Sequence, residues 1–592
     1  MNRRGAATAA CLAWMLIATA PASGAYRVDT PRVVSGALPP AGLACSAPAP
    51  PRTGDQSVAV NPRDPNHLVV AWMQDPGSEA DRSQGLGVAV SRDGGRRWVA
   101  ARVRGITGCD GGPAQHTGVN EAQAAIGYDG TVYVTGEVYR GAARAPYVIR
   151  STDGGARFGP PTILNPTDRF SGQEAVTPDP LRHGHAYVSW HRVEPHPLGP
   201  LFATSALFMA HTADGGASWS PPRQVRRPGA GRFDVASHIL RPRDGSLVNV
   251  FVEQSVSNLA GQSFRIPLRS IRSTDDGATW TAPIDVGSIE AGVTFDPDTD
   301  DVVNRFPAPA TAQAPDGTLY VAWRNGTTSA GSRIDVARSR DGGRSWTRVR
   351  PAATLGTQSF LPQIAVSRTG TVGVSYYDFR GDRPGDGELT TRVWLATSAD
   401  RGNSWQEAPL AGPFNARPTL AGGASLIGDT AGLAGASQGF AATFNLGPPL
   451  APRGLTDLFS ARVERCSVVP SSPRCDPPLR ISGLRLRPSP IRRGRRGRLT
   501  FRLSRAAGVS VAIERRSAGT RRGRRCVGPR RGGRRCARFR RRAVLSKDGR
   551  AGRNSLRVAT KRLPRGRYRA RLRAVDAIGV RSRERRLAFT IR

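Results

Sequence analysis

The sequence predicts an all-β chain: a β-propeller, with seven blades preferred over six, followed by a small β-sandwich. Three observations predict it. An eight-residue pattern recurs six times, as SRDGGRRW from Ser91, STDGGARF from Ser151, TADGGASW from Thr212, STDDGATW from Ser273, SRDGGRSW from Ser339 and SADRGNSW from Ser398. Successive copies start 60, 61, 61, 66 and 59 residues apart, the period of a repeat architecture rather than of chance. Finally, the composition breaks sharply after Asp476, where acidic residues nearly vanish and arginine takes over.

Taken in chain order, residues 1–25 read as a secretory signal. Arg3 and Arg4 precede the apolar run from Ala6 to Ala20, and small residues follow near Ala22 and Ala25. That run is too short for a membrane span, so the mature chain is expected to be exported and not membrane-spanning. Residues 26–54 form an N-terminal segment, 55–465 the propeller, 466–479 a linker and 480–592 the basic sandwich.

Each repeat unit carries four alternating strands. A short small-residue strand such as QAAIGY (123–128) leads to a turn and a second strand, DGTVYVTGEV (129–138). A third strand such as GLGVAVS (85–91) runs into the eight-residue box, and a fourth such as WVAARV (98–103) leaves it. Four antiparallel strands per repeat make one propeller blade. Beyond the last box, AGLAGAS (431–437), GFAATFN (439–445) and LTDLFSARV (455–463) supply three strands of another unit. The missing fourth strand is expected from the N-terminal segment, for example RVVSG (32–36), which would close the ring.

The box residues read as structural. Glycine at the fifth position allows the positive φ of a tight turn. The carboxylates of Asp93, Asp153, Asp214, Asp275, Asp341 and Asp400 are expected to hold the turn's own N–H groups. Trp98, Trp219, Trp280, Trp346 and Trp405 supply an apolar plate to bury against the sheet. Each box has too few carboxylates for a calcium site, and no metal or other cofactor is expected.

Six cysteines remain after the signal, an even number that suits disulfides in an exported chain and allows fifteen pairings. Proximity favours Cys466 with Cys475 and Cys526 with Cys536, leaving Cys45 for Cys109. From Arg480 onward there are 40 basic and 4 acidic side chains, so +36 of the chain's +41 sits in the last domain. Short alternating runs there, including 497–504, 508–516, 554–560, 566–576 and 585–592, are spaced like a sandwich, with an arginine-rich insertion at 521–542. It resembles the immunoglobulin- or fibronectin-like domains appended to secreted bacterial proteins.

The boxes resemble the Asp-boxes of the sialidase superfamily, also called BNR-repeat proteins, over roughly residues 55–465. That resemblance implies a propeller and leaves activity to the site itself. Sialidases use three arginines around a substrate carboxylate, an acid, and a tyrosine nucleophile with a glutamate partner. Asp-boxes mark one face, so a site would lie on the other, among residues leading into the first strands and leaving the second. Those positions include Asp55, Glu121, Gln173, Glu174, His238, Arg305 and Asp429 on the way in, and Glu137, Arg140 and His191 on the way out. A sialidase-like set drawn from this face would use Arg192, Arg324 and Arg380 as the clamp, Tyr377 with Glu253 as the nucleophilic pair, and Asp75 or Asp55 as the acid. Glu121, Gln173 and His238 would add substrate contacts.

The tetrapeptide Phe264-Arg265-Ile266-Pro267 spells the arginine motif of sialidases. Its register excludes it: Arg265 lies eight residues before its box, where sibling units have Ser83, Ala143 and Gly331 at the start of a third strand. Two functional classes follow. One is a surface module binding glycan or protein, anchored to an anionic envelope polymer by the basic domain. The other is an exo-glycosidase acting on sialylated or other anionic glycans. A specific nucleic-acid partner is not expected, because aromatics are sparse in the basic domain, and the chain is expected to be monomeric.

Overall fold

The computed structural model describes residues 26–35, 53–76, 83–101, 103–141, 143–165, 170–195, 203–256, 265–290, 294–304, 308–327, 331–353, 358–421, 424–425, 427–451, 455–469, 472–475, 479–504, 507–522, 525–527, 535–575 and 582–592. The side chains of Asp75, Cys466 and Cys475 fall outside that description, as do Cys45, Arg305 and the signal segment.

Apart from two short hairpins, Thr294–Phe295 with Val302–Asn304 and Leu420–Ala421 with Ala424–Ser425, the described strands of the first 469 residues fall into seven antiparallel groups. The first comprises Thr53–Asn61, Asp64–Pro76, Ser83–Ser91 and Val99–Ala100, and the second His116–Ile126, Val132–Arg140, Ala143–Ser151 and Thr162–Ile163. Groups three to six repeat the order, opening with Ser171–Pro178, Arg232–Leu240, Ala310–Gln313 and Phe360–Val366. In the seventh, Gly432–Gly435, Gly439–Leu446 and Asp457–Val469 are joined by Tyr26–Val28 and Arg32–Val33, which pair with the 457–469 strand. The first strands neighbour one another in a cycle, and Gly432–Gly435 returns to Thr53–Asn61. We read these groups as the blades of a β-propeller. Arg265 opens the third strand of blade four, as Ser83, Ala143 and Gly331 open theirs.

Packing follows the same count. One apolar cluster fills each gap between adjacent blades, and each box aromatic enters the gap between its own blade and the preceding one. Trp98 packs with Val70 and Leu458 across blades one and seven, Trp219 with Val148 and Trp190, and Trp346 with Val250 and Val321. Large apolar plates between flat sheets are where most of the stabilising burial of a propeller accrues.

The box turn is held by its own side chains. In all six, the Ser or Thr hydroxyl donates to the Asp carboxylate over 2.7–3.0 Å. The fifth-position glycine N–H donates back to that hydroxyl over 2.7–2.9 Å. Those glycines have φ between 80° and 88°, which a side chain would strain. A further latch links neighbouring blades. Arg92 and Arg150 donate to the carbonyls of Gly154 and Gly215 in the next blade's box over 2.6 and 3.0 Å, and Arg272 and Arg338 to those of Gly342 and Arg401 over 3.2 and 2.7 Å.

Residues 466–479, expected as a linker carrying a Cys466–Cys475 disulfide, include a strand pairing. Asp457–Val469 continues past the blade and pairs with Ser472–Cys475, putting Cys466 opposite Cys475 in register. Cys109 is disulfide-bonded, and its partner lies outside the described residues. Cys526 and Cys536 form a disulfide.

The last domain packs a three-stranded sheet (Ile481–Arg487, Arg496–Leu503, Gly552–Ala559) on a second sheet. The second contains Ala507–Arg522, Arg525–Val527, Arg535–Gly549, Gly566–Val575 and Arg585–Ile591. Between them Leu486, Leu499, Phe501, Val511, Ile513 and Leu572 form a core of their own. The Tyr568 hydroxyl donates to the Pro564 carbonyl, a local corner tie common in immunoglobulin-like sandwiches.

Candidate functional site at the channel mouth

The first strand of each blade runs parallel to the third, and the boxes follow the third. The opposite face is therefore where first strands begin. There the ladder shifts register in blades one, two, three, four and six, between Gly54 and Gln56, Asn120 and Gln123, Gly172 and Ala175, Val235 and His238, and Phe360 and Gln363. Glu121, Gln173, Ala236 and Leu361 take φ of 50°, 56°, 54° and 51° in these bulges. A non-glycine residue in the left-handed region costs about 1 kcal/mol or more, and bulges of this kind re-aim side chains. In blades two and three the re-aimed residues are Glu121 and Gln173, and His238 follows the bulge of blade four.

The bulges are stitched together around the channel. The Ala236 N–H donates to Gln173 Oε1 over 2.6 Å, from blade four to blade three. The Asp55 carboxylate accepts from the N–H groups of Asp429 and of Thr430, the latter over 3.0 Å. Asn304, on the connection between blades four and five, donates to Asp429 over 3.1 Å.

Burial and crowded carboxylates shift several titrating groups of this mouth. Half-buried Glu121 is held well above the usual carboxylate range by burial, then by the charges of Glu174, Glu137, Asp55 and Asp429. Glu174 is 1% exposed, neither of its carboxyl oxygens has a hydrogen-bond partner among the described residues, and burial followed by Glu137 pushes it up as well. Fully buried Glu137 accepts from Asn120 over 2.8 Å and from Arg144 over 2.9 Å. Burial lowers His238 to about 4, and burial with Arg144 lowers His191 to about 4. The hydroxyl of buried Tyr147 has no hydrogen-bond partner among the described residues; burial, then Glu174, raises its pKa.

The expected sialidase-like set does not converge. Arg192 donates to Glu194 over 2.7 Å and lies 3.9 Å above the Phe208 ring, both within blade three. Arg380 pairs with Asp378 and, over 2.8 Å, with Glu407, and stacks on Trp394, all in blade six. Buried Arg324 donates to Thr294 over 3.1 Å, and desolvation lowers it to about 10. The Tyr377 hydroxyl donates to the Asn445 carbonyl over 3.1 Å and accepts from its N–H over 3.0 Å, deep in the core between blades six and seven. Glu253 sits in blade four, bound to Arg226 over 2.8 Å and Arg232 over 3.3 Å. Tyr377 and Glu253 are thus each satisfied in different blades and form no pair. The structure instead brings Glu121, Gln173 and His238 to the bulges of successive first strands, with Glu174 and Tyr147 beside them.

Tyr147 was not among the sequence candidates. Its signal was Gly136, an isolated glycine in the strand VYVTGEVYR, which lies opposite Tyr147 in register. A Cβ there would come within 3.2 Å of the Tyr147 hydroxyl and 2.3 Å of the Glu121 carbonyl, so the glycine makes the room. Among the described residues, no group of three or more His, Cys, Asp and Glu side chains is placed to hold a metal ion. No helix among them is long and apolar enough to cross a membrane.

Residues 208–418 match the family described as BNR repeat-like domain. The match spans the boxes of blades three to six, and this stretch is a BNR-repeat β-propeller region. No curated protein matches the sequence. Solved structures with a similar fold include the Hadza microbial sialidase Hz136, at 17% identity over 67% of this chain and 76% of that one, TM-score 0.38. Another is the Trypanosoma rangeli sialidase in complex with the inhibitor DANA, at 12% identity over 79% and 84%, TM-score 0.37. A third is the Penicillium chrysogenum alpha-L-arabinanase complexed with arabinobiose, at 14% identity over 58% and 92%, TM-score 0.36. At such scores these likenesses carry nothing about substrate or catalysis.

Proposed function

We infer that the propeller is a glycan-recognition module whose ligand sits at the channel mouth opposite the Asp-boxes. The exported protein is held at the cell surface by its basic C-terminal domain. One observation carries the reading of the mouth: burial and neighbouring carboxylates push Glu121 and Glu174 toward the protonated form, and burial pushes His238 toward the neutral ring. The carboxyls of Glu121 and Glu174, shifted toward their protonated forms, the Gln173 amide and the His238 ring, its pKa lowered to about 4, offer hydrogen bonds to hydroxyls. A carboxylate-bearing sugar needs fixed cations, ideally bidentate guanidiniums, and Arg192 and Arg380 are committed within their own blades. The ligand class is therefore a neutral glycan. Glycan-array binding of the full chain tests this: neutral glycans are expected to bind, with the signal lost in Glu121→Ala/Gln173→Ala. Binding confined to sialylated glycans would overturn it.

A second reading, an exo-glycosidase, is favoured by Glu121 itself. A half-buried carboxyl raised well above the usual carboxylate range by burial and neighbouring carboxylates suits a proton donor to a leaving oxygen. Aryl-glycoside turnover by the wild type that falls at least 100-fold in Glu121→Gln would select it. In that assay Tyr377→Phe is expected to report only stability, because its hydroxyl serves Asn445.

A further inference from the structure

The outward face of the three-stranded sheet in the last domain is a plate of arginines. Arg487, Arg498 and Arg557 stand abreast on one rung, since Arg487 pairs with Arg498 and Arg498 with Arg557 in the ladder. Arg502 faces Arg553 on a second rung, and Arg485 lies on the rung between, beside Thr500 and Ser555. All six arginines are exposed, and none takes part in an ion pair among the described residues. The same strands turn Leu486, Leu499, Phe501 and Val558 inward, so the alternation fixes the arginines on one flat face.

Directly opposed like charges, with Cβ atoms about 5 Å apart, destabilise a sheet. The arrangement is therefore not explained by folding. The few carboxylates nearby serve other residues: Glu514 and Glu584 pair with Arg569, Arg571, Arg573 and Arg586 on the opposite sheet. The plate is about 10 Å across three strands and about 14 Å from Arg498 to Arg502, long enough to meet several charges of a chain laid over it. Guanidinium is suited to phosphate because it offers paired, planar donors. Thr500 and Ser555 put hydroxyls between the rungs. No aromatic side chain stands on this face to stack a base, and no large apolar one to enter a bilayer.

We propose that this plate is the docking surface for a linear polyol-phosphate polymer of the cell envelope. The proposal rests on the reading that the C-terminal domain tethers the protein to an anionic polymer, and names the face and the chemistry that do so. Fixed guanidiniums neutralise successive phosphodiesters and release their counterions, so affinity falls with salt.

The test compares the full-length wild type with two variants of equal charge. The plate variant carries Arg498→Ser, Arg502→Ser, Arg553→Ser and Arg557→Ser. The control carries Arg535→Ser, Arg538→Ser, Arg540→Ser and Arg541→Ser on the neighbouring hairpin. Binding to poly(glycerol phosphate) is titrated against salt. The plate variant is expected to lose at least 10-fold in affinity, with a salt slope shallower by roughly 3, while the control loses less than threefold. Equal losses in both would overturn the plate but leave general tethering by charge intact. No binding by the wild type would overturn both readings. Tighter, plate-dependent binding to single-stranded DNA or phosphatidylglycerol vesicles would overturn the polymer assignment. Melting of the plate variant at or above the wild-type temperature would show that its loss of binding is not loss of fold.

Discussion

In blade four, Arg226 pairs with buried Asp234 and lies 2.8 Å from Glu253, while its guanidinium sits 5.1 Å above the Phe251 ring. In the last domain, Arg498 faces Arg557 across a ladder rung, and neither takes part in an ion pair among the described residues. The same residue type is thus matched and partly desolvated in the propeller, and unmatched and solvated in the sandwich. Propeller arginines answer an internal demand, from buried carboxylates or box carbonyls in the next blade. Sandwich arginines on the plate answer none, and so are free to answer one from outside.

That contrast can be broken most severely at Arg226. Replacing it by Ala strands the fully buried Asp234 beside Glu253, and breaking such a pair costs about 3–5 kcal/mol. Denaturant unfolding should show a loss of that size; a loss below 1 kcal/mol would mean the pair is not desolvated as it stands. Glu174 tests the mouth. The unfolded chain ionises this carboxyl above its ordinary value of 4.5, while burial makes the folded chain hold the proton to higher pH, so the unfolded state binds fewer protons there and stability falls as pH rises. Glu174→Gln is expected to remove that loss and raise the melting temperature at pH 8 more than at pH 5. His191 and His238 act with the opposite sign: held neutral down to about 4, they withdraw stability as pH drops below 6.5. Melting temperature should therefore peak between these limits.

Smaller effects sharpen the comparison. Arg150→Met removes one charged donor to the Gly215 carbonyl and should cost about 1–2 kcal/mol by denaturant unfolding. Arg498→Ser removes a like-charge contact on the plate and should leave stability within about 0.5 kcal/mol or raise it. A clear destabilisation by Arg498→Ser would mean that the plate is structural after all.

The latch arginines are half legible in the sequence. Arg150, Arg272 and Arg338 each stand one residue before a box, a repeat visible in the sequence alone. Their partner, a backbone carbonyl in the next blade, has no letter in the sequence. Glu121 and Gln173 were legible as residues leading into first strands, because the repeat frame fixes that position. Their shared bulge was not, since φ is set by how seven first strands crowd one channel. Tyr377 went the other way: a tyrosine leaving a second strand looked accessible, but the adjoining blade supplies the Asn445 backbone that engages it.

What the sequence determined by itself is the periodic part. The box spacing, the alternation of strands, the charge break and the rejection of Arg265 all follow from local rules that act within about sixty residues. Only the tertiary structure decided which charges meet. Whether an arginine clamps a ligand or a neighbouring glutamate depends on distances of a few ångströms between segments far apart in the chain, and on how much water remains between them. That is why a clamp of Arg192, Arg324 and Arg380 could be written down from the sequence, while the structure gives each of them a partner of its own, Glu194, Thr294 and Glu407.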